Sequence, residues 1–216
     1  MVLLLLSIFL GLVTSLIRVW LGGRRLTPPN LFYIWLLFIA FIPQGLAFYW
    51  PLTRASLSDD AVAVCLVTSQ LLLLVFAWLN RRLPGFWALL LGLTLNLLVI
   101  LLNGGLMPIS PEMAAQLIPS SADAIQVGER FGTSKDIILP VDQTLFWWLS
   151  DRFYLAFDYP FPYRVAYSLG DVFLALGAFW LLWASSNSLK LSQENTSVEK
   201  EIIARHNNDS ETCLSN

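Results

Sequence analysis

The sequence predicts an all-α membrane protein built from five transmembrane helices and one extracytoplasmic interfacial helix. Three observations carry that expectation. Of 216 residues, 56% are hydrophobic and 13% charged, about half the charged fraction of an ordinary soluble domain. The mean hydropathy is +0.65 for a mass of 24.3 kDa, and a globule of that size lacks the interior to hide so many Leu, Phe and Trp from water. The apolar residues are also gathered into stretches close to the roughly 20 residues that a helix needs to cross a bilayer core of about 30 Å.

Five such stretches are expected to span: Val2 to Leu21, Leu31 to Trp50, Ala61 to Leu79, Phe86 to Leu102 and Val165 to Ala184. The first lacks a basic n-region and ends in Arg18-Val19-Trp20-Leu21-Gly22-Gly23-Arg24-Arg25 rather than a small-residue cleavage site, so it reads as a retained span rather than a signal peptide. Gly22-Gly23 with Pro28-Pro29, then Pro51, then Pro84-Gly85 punctuate the first four spans. Glycine and proline interrupt helices, and these connections are short.

Lys and Arg in short loops set orientation. Arg18, Arg24, Arg25, Arg81, Arg82, Lys190, Lys200 and Arg205 fall on one side, eight in all, against Arg54, Arg130, Lys135, Arg152 and Arg164 on the other. The richer side is expected to be cytoplasmic, with the N-terminus outside and the C-terminus inside. Residues 1–184 then form the membrane domain, with an extracytoplasmic segment at 103–164, and 185–216 form a polar cytoplasmic tail too poor in apolar residues to fold alone. Within the outer segment, Thr144 to Phe157 carries Trp147, Trp148, Phe153 and Tyr154 around Asp151 and Arg152. That composition suits an aromatic belt, and a helix lying on the outer membrane surface is expected there, followed by a break at Tyr159-Pro160-Phe161-Pro162-Tyr163. Trp147, Trp148, Arg152 and Tyr154 are its candidate interface residues.

Polar side chains inside spans are costly and are the first places to look for function. Counting residues from the expected outer ends puts Gln44, Asn96 and Asp171 at one level, about 9 Å below the surface, with Gln70 deeper. Two readings stand for this level: hydrogen-bonded glue between helices, or a pocket for a small ligand or proton centred on Asp171. A buried carboxylate needs a raised pKa or a cation, and Arg164 and Arg152 are the basic candidates. Ser168, one turn above Asp171, is expected to join the cluster, and Gly170 to allow a close helix approach. Pro43 is expected to kink the second span and free a carbonyl beside Gln44. Asn103, with Gly104-Gly105 and Pro108 behind it, reads as a helix C-cap and stop, with the bare glycine backbone as an alternative lid over the pocket.

Asn103-Gly104-Gly105-Leu106-Met107-Pro108 after a Leu-rich span containing Asn96, the aromatic stretch from Asp142 to Asp151, and Ser168-Leu169-Gly170-Asp171 opening the last span resemble a bacterial multi-pass membrane family known as domain of unknown function 5317. The likeness covers roughly Leu4 to Trp183 and leaves out the tail. It implies the span layout and a bacterial cytoplasmic membrane, and no activity.

Enzyme chemistry finds little support. The single histidine, His206, lies in the tail, so no Ser/His or Cys/His pair and no histidine metal site is expected within the membrane. Cys65 and Cys213 are too few and too differently placed for a disulfide framework or a metal cage. Phosphate-binding and dinucleotide-binding glycine motifs are missing. No cofactor is expected. A net charge of -2 and the lack of a basic stripe argue against a nucleic-acid partner. What remains is an accessory, assembly or small-ligand-binding membrane protein, in contact with lipid and with other membrane subunits or copies of itself. The alternative is a component of a small-molecule or proton transporter that uses Asp171.

Overall fold

In the computed structural model the described residues are 2–22, 28–119, 125–157 and 163–185. The expected loop residues Arg24 and Arg25, the expected break at 159–162 and the tail from residue 186 lie outside them. The described chain is mostly helical. Seven α-helices run in the order α1 (Val2–Gly22), α2 (Ile34–Gln44), α3 (Pro51–Ser56), α4 (Asp59–Leu79), α5 (Phe86–Leu102), α6 (Pro111–Leu117) and α7 (Leu169–Ala184). Two small sheets interrupt them, β1 (Met107–Ile109) parallel to β2 (Asp136–Ile138), and β3 (Phe153–Phe157) antiparallel to β4 (Tyr163–Tyr167).

By length and composition α1 and α4 are able to cross a membrane, while Ile34–Tyr49, Phe86–Leu102 and Leu169–Ala184 are apolar but shorter. Local chemistry explains the boundaries. Ser58 caps α4 by accepting from Ala61 N, and Asp59 and Asp60 follow in the first turn, where negative charge meets the positive end of the helix dipole. Pro43 lies inside α2, which continues as a π-helical turn over Gly45–Tyr49; an interior proline cannot donate to the ladder. Just upstream of that proline, Ala40 O accepts from Ser69 Oγ of α4 at 2.6 Å. At the far end of α4, the buried Asn80 donates to Phe32 O and accepts from Phe32 N. It ties the approach to α2 onto the α4–α5 turn.

The helices pack as neighbouring pairs: α1 on α7, α7 on α5, α5 on α4, α4 on α2. Glycines set the α5–α7 spacing. A Cβ added at Gly92 would lie 2.6 Å from Gly170 O, one at Gly177 2.7 Å from Gly85 O, and one at Gly85 2.2 Å from Gly177 O. Gly85 and Gly92 are seven residues apart, as are Gly170 and Gly177, so two turns of each helix meet backbone to backbone. Gly11 of α1 approaches α7 in the same manner, with Leu182 Cβ 3.0 Å from an added Cβ.

Two apolar clusters divide the helical interior. One, with Leu36, Phe76, Phe86 and Leu90, sits near the α4–α5 turn. The other joins Ala47, Val62, Leu66 and Ile100 to Leu106, Met107 and Leu149, so it seats the segment after α5 on the ends of the helices. That segment is a small folded cap. Its own core is Ile109, Ala114 and Ile138.

The cap differs from the sequence expectation in one respect. Thr144 to Phe157 is not an interfacial helix: Trp147–Leu149 makes a single 3-10 turn, and Phe153–Phe157 is strand β3. Ser150 Oγ bonds Trp147 O and Asp151 N bonds Pro108 O, so side chain and backbone leave the helical path together. The aromatic run that follows pairs with Tyr163–Tyr167, and Phe153 stacks on Tyr167 at 5.4 Å, as aromatic residues on a pleated ladder prefer. The same pairing shortens the last expected span. Residues 165–167 belong to β4, and α7 begins only at Leu169.

Candidate functional site

At the start of α7 the chain arrives extended from β4, and Ser168 takes the N-cap position. Its Oγ accepts from Asp171 N at 3.1 Å, and Asp171 Oδ2 accepts in return from Ser168 N at 3.3 Å. This reciprocal box satisfies two backbone donors that a helix start leaves orphaned. The remaining valences reach across to α5. Asn96 Nδ2 donates to Asp171 Oδ1 at 3.0 Å, and Ser168 Oγ donates to Asn96 Oδ1 at 2.8 Å. Three side chains therefore close a ring between two helices. Gly170 makes the ring possible, since a Cβ there would stand 2.0 Å from Asn96 Oδ1.

The level inferred from the sequence does bring Asn96, Ser168 and Asp171 together, though for a different reason. Asp171 lies in the first turn of α7 rather than six residues inside a longer helix. The short α7 starts level with Asn96 because β4 has taken the preceding residues. Gln44 ends α2, and among the described residues neither it nor Gln70 bonds to this ring; Gln70 Oε1 is buried without a partner. Asn103 acts as a strap between α5 and the segment after it. Its Nδ2 donates to Val99 O and Leu145 O, and its Oδ1 accepts from Leu145 N at 2.9 Å, fastening the cap to the end of α5. Gly105 fits against Ala63 of α4, whose Cβ would be 2.7 Å from an added one.

Among the described residues neither Arg164 nor Arg152 forms an ion pair with Asp171, and Lys135 is a cation within electrostatic reach of it. Lys135 Nζ bridges Asp136 Oδ1 at 2.8 Å and Asp151 Oδ2 at 2.5 Å. The Asp151 side chain is 3% exposed, and its Oδ1 has no partner. Burial pushes the Asp151 carboxyl up to about 8, with Lys135 opposing and the carboxylates of Asp136 and Asp171 adding to the push. Burial alone would lower the Lys135 pKa, but Asp136, Asp151 and Asp171 outweigh it and hold the ammonium above its usual value. Asp136 and Asp151 thus share one ammonium, and burial is the largest cause that keeps the Asp151 carboxyl above the usual carboxylate range. Sequence reasoning passed over Lys135 and Asp136. The available signal was that Lys135 is the one lysine between residues 103 and 164.

Arg152 instead stacks over Trp147 at 4.6 Å and Phe153 at 5.3 Å. Trp147, Trp148 and Tyr154 remain substantially exposed on the cap. Two cavities lie away from the ring. One of about 550 Å³ is a furrow between α4 and α5, and one of about 370 Å³ lies in the cap beside Gln126, Glu129 and Arg130. Among the described residues no group of three or more His, Cys, Asp or Glu is arranged to hold a metal ion. The polar atoms of the ring are turned toward one another and tie α5 to α7.

A family model described as a family of unknown function, DUF5317, matches residues 29–183. The match starts after α1, later than the Leu4 limit of the motif likeness. No curated protein and no solved structure matches the chain.

Proposed function

The chain belongs to DUF5317, a family of unknown function, and we propose that it is a non-enzymatic integral membrane protein, an accessory or assembly subunit with a rigid extracytoplasmic cap. In this reading α1, α2 with its π-helical turn, α4, α5 and α7 cross a bacterial cytoplasmic membrane. The N-terminus lies outside, and the cap closes the outer ends of the helices.

The observation that carries the membrane reading is the direction in which the apolar helices face. Only 11% of the most apolar stretch of α1 and 28% of that of α4 is buried, whereas the central helix of a water-soluble protein is mostly buried. Phe9, Trp20, Phe38 and Val64 are each more than 60% exposed. In water such a surface is an aggregation liability, and in lipid it is ordinary. The packing of α1 on α7 through Gly11, and the bond from Arg18 to Trp183 O at 3.2 Å, favour a retained first helix over a cleaved leader.

The polar ring supports the structural side of the reading. Both Asp171 oxygens and both Asn96 amide atoms are taken up within the protein, which speaks against a small-ligand pocket and against a transporter working through Asp171. The exposed Trp147, Trp148 and Tyr154 suit either the outer lipid interface or a neighbouring subunit. Native mass spectrometry of the gently extracted protein tests the assignment. Co-purifying chains, lost when Trp147 and Trp148 are both changed to Ala, are the expected result. A reproducible small-molecule adduct that Asp171→Asn removes would overturn it in favour of a binding pocket.

A further inference from the structure

The furrow between α4 and α5 is lined by Leu74, Val75, Trp78, Trp87, Leu91 and Thr94, with a volume of about 550 Å³. Its one polar side chain, Thr94, is occupied, since Oγ1 donates to Leu90 O at 2.8 Å. The floor therefore offers nothing to a polar ligand. It runs along α5 from Trp87 to Thr94, about 10 Å at the rise of a helix, the reach of a partly inserted hydrocarbon chain. At one end Trp78 and Trp87 meet edge to face at 6.4 Å, and Arg81 lies 4.4 Å over the Trp78 ring. Arg82 follows, exposed, in the α4–α5 turn.

No acidic residue neighbours these two cations along the chain. Asp and Glu do not occur between residues 61 and 111, and among the described residues neither arginine pairs with a carboxylate. An apolar trough whose wall carries the Arg81 guanidinium over Trp78, where it also donates to Trp78 O, with the exposed Arg82 next along the chain, is complementary to an amphiphile with an anionic head. A second protein helix would fill the trough without using the cations. We propose that the α4–α5 furrow binds one acyl chain of an anionic phospholipid, with its phosphate held by Arg81 and Arg82. Arginine recognises phosphate through paired donors, and tryptophan and arginine at a helix end are at home at headgroup level. The inference rests on the membrane reading above.

The test titrates the purified full chain in detergent with phosphatidylglycerol and, separately, phosphatidylcholine of the same acyl chains, and counts bound lipid by native mass spectrometry. The wild type is expected to hold one phosphatidylglycerol with about ten-fold preference, in line with two cations facing one phosphate. The double variant Arg81→Gln, Arg82→Gln is expected to drop to the phosphatidylcholine level. Leu91→Trp, which fills the trough, is expected to weaken both lipids, with melting temperatures showing that the variants remain folded. Equal binding of the two lipids by a membrane-embedded wild type overturns this proposal alone. A dimer mass that Leu91→Trp abolishes does so too, since the trough then holds a second copy. A chain recovered from the aqueous fraction overturns this proposal together with the membrane reading.

Discussion

Asp151 is the residue whose surroundings most constrain the pH behaviour of the protein. Its carboxyl is raised from 3.8 to about 8 in the folded chain, so the folded state holds a proton that the unfolded state releases on passing pH 4. Stability from this group is fully present below pH 4 and is lost as pH rises toward 8. Lys135, raised as well, keeps its contribution throughout that window and loses it only above its ordinary titration range. Thermal unfolding followed from pH 4 to 8 should show a falling midpoint, and Asp151→Asn, which mimics the protonated form, should flatten the fall. A midpoint that climbs over this range would count against the assignment. Asp171 acts differently, as an acceptor for Asn96 Nδ2 and for Ser168 N. Asp171→Ala removes a cap and strands a buried amide donor, a loss of about 1–3 kcal/mol, visible as a lowered melting temperature. A variant as stable as the wild type would show that the ring does not hold the helices.

At the scale of elements, the α5–α7 contact depends on the absence of side chains at four glycines. Gly92→Ala pushes a methyl toward Gly170 O and the Leu174 backbone, 2.6 and 2.9 Å away, and should cost about 1–3 kcal/mol. Gly45→Ala is the contrast, since nothing lies within 4 Å of its added Cβ and its φ of -57° is ordinary helix. It should leave the stability within about 1 kcal/mol of wild type, and equal losses at the two positions would refute the close contact. These elements differed in how openly the sequence declared them. Phe86 to Leu102 was readable to the residue, because Pro84-Gly85 and Asn103-Gly104-Gly105 bracket an unbroken apolar run. Asn96, Ser168 and Asp171 were readable as neighbours because counting residues from the expected outer ends of the two helices puts them near one level, although a long segment joins those helices. The cap was not readable. Its strands are three to five residues long, and β3 has an aromatic composition shared by interfacial helices and strands alike. Only its partner Tyr163–Tyr167 decides between them. The pairing of Lys135 with Asp151 was not readable for the same reason, since it depends on the path of a long segment that no periodicity records.

Over the whole molecule, one end of the helical bundle is covered by the cap, and the other carries the α4–α5 turn with Arg81 and Arg82. The apolar side chains of α1, α2 and α4 face outward between them. That polarity is what a membrane orientation would exploit, with basic turns toward the cytoplasm and the mildly acidic cap away from it. Impermeant maleimide labelling of right-side-out membrane vesicles tests it most directly, using a chain with Cys65 and Cys213 replaced and a single cysteine at either Gln143 in the cap or Asn30 before α2, both exposed. Gln143→Cys should be labelled in intact vesicles and Asn30→Cys only after permeabilisation, with both chains resisting carbonate extraction. Release of the chain into the carbonate supernatant, or labelling with the opposite sidedness, would contradict that orientation.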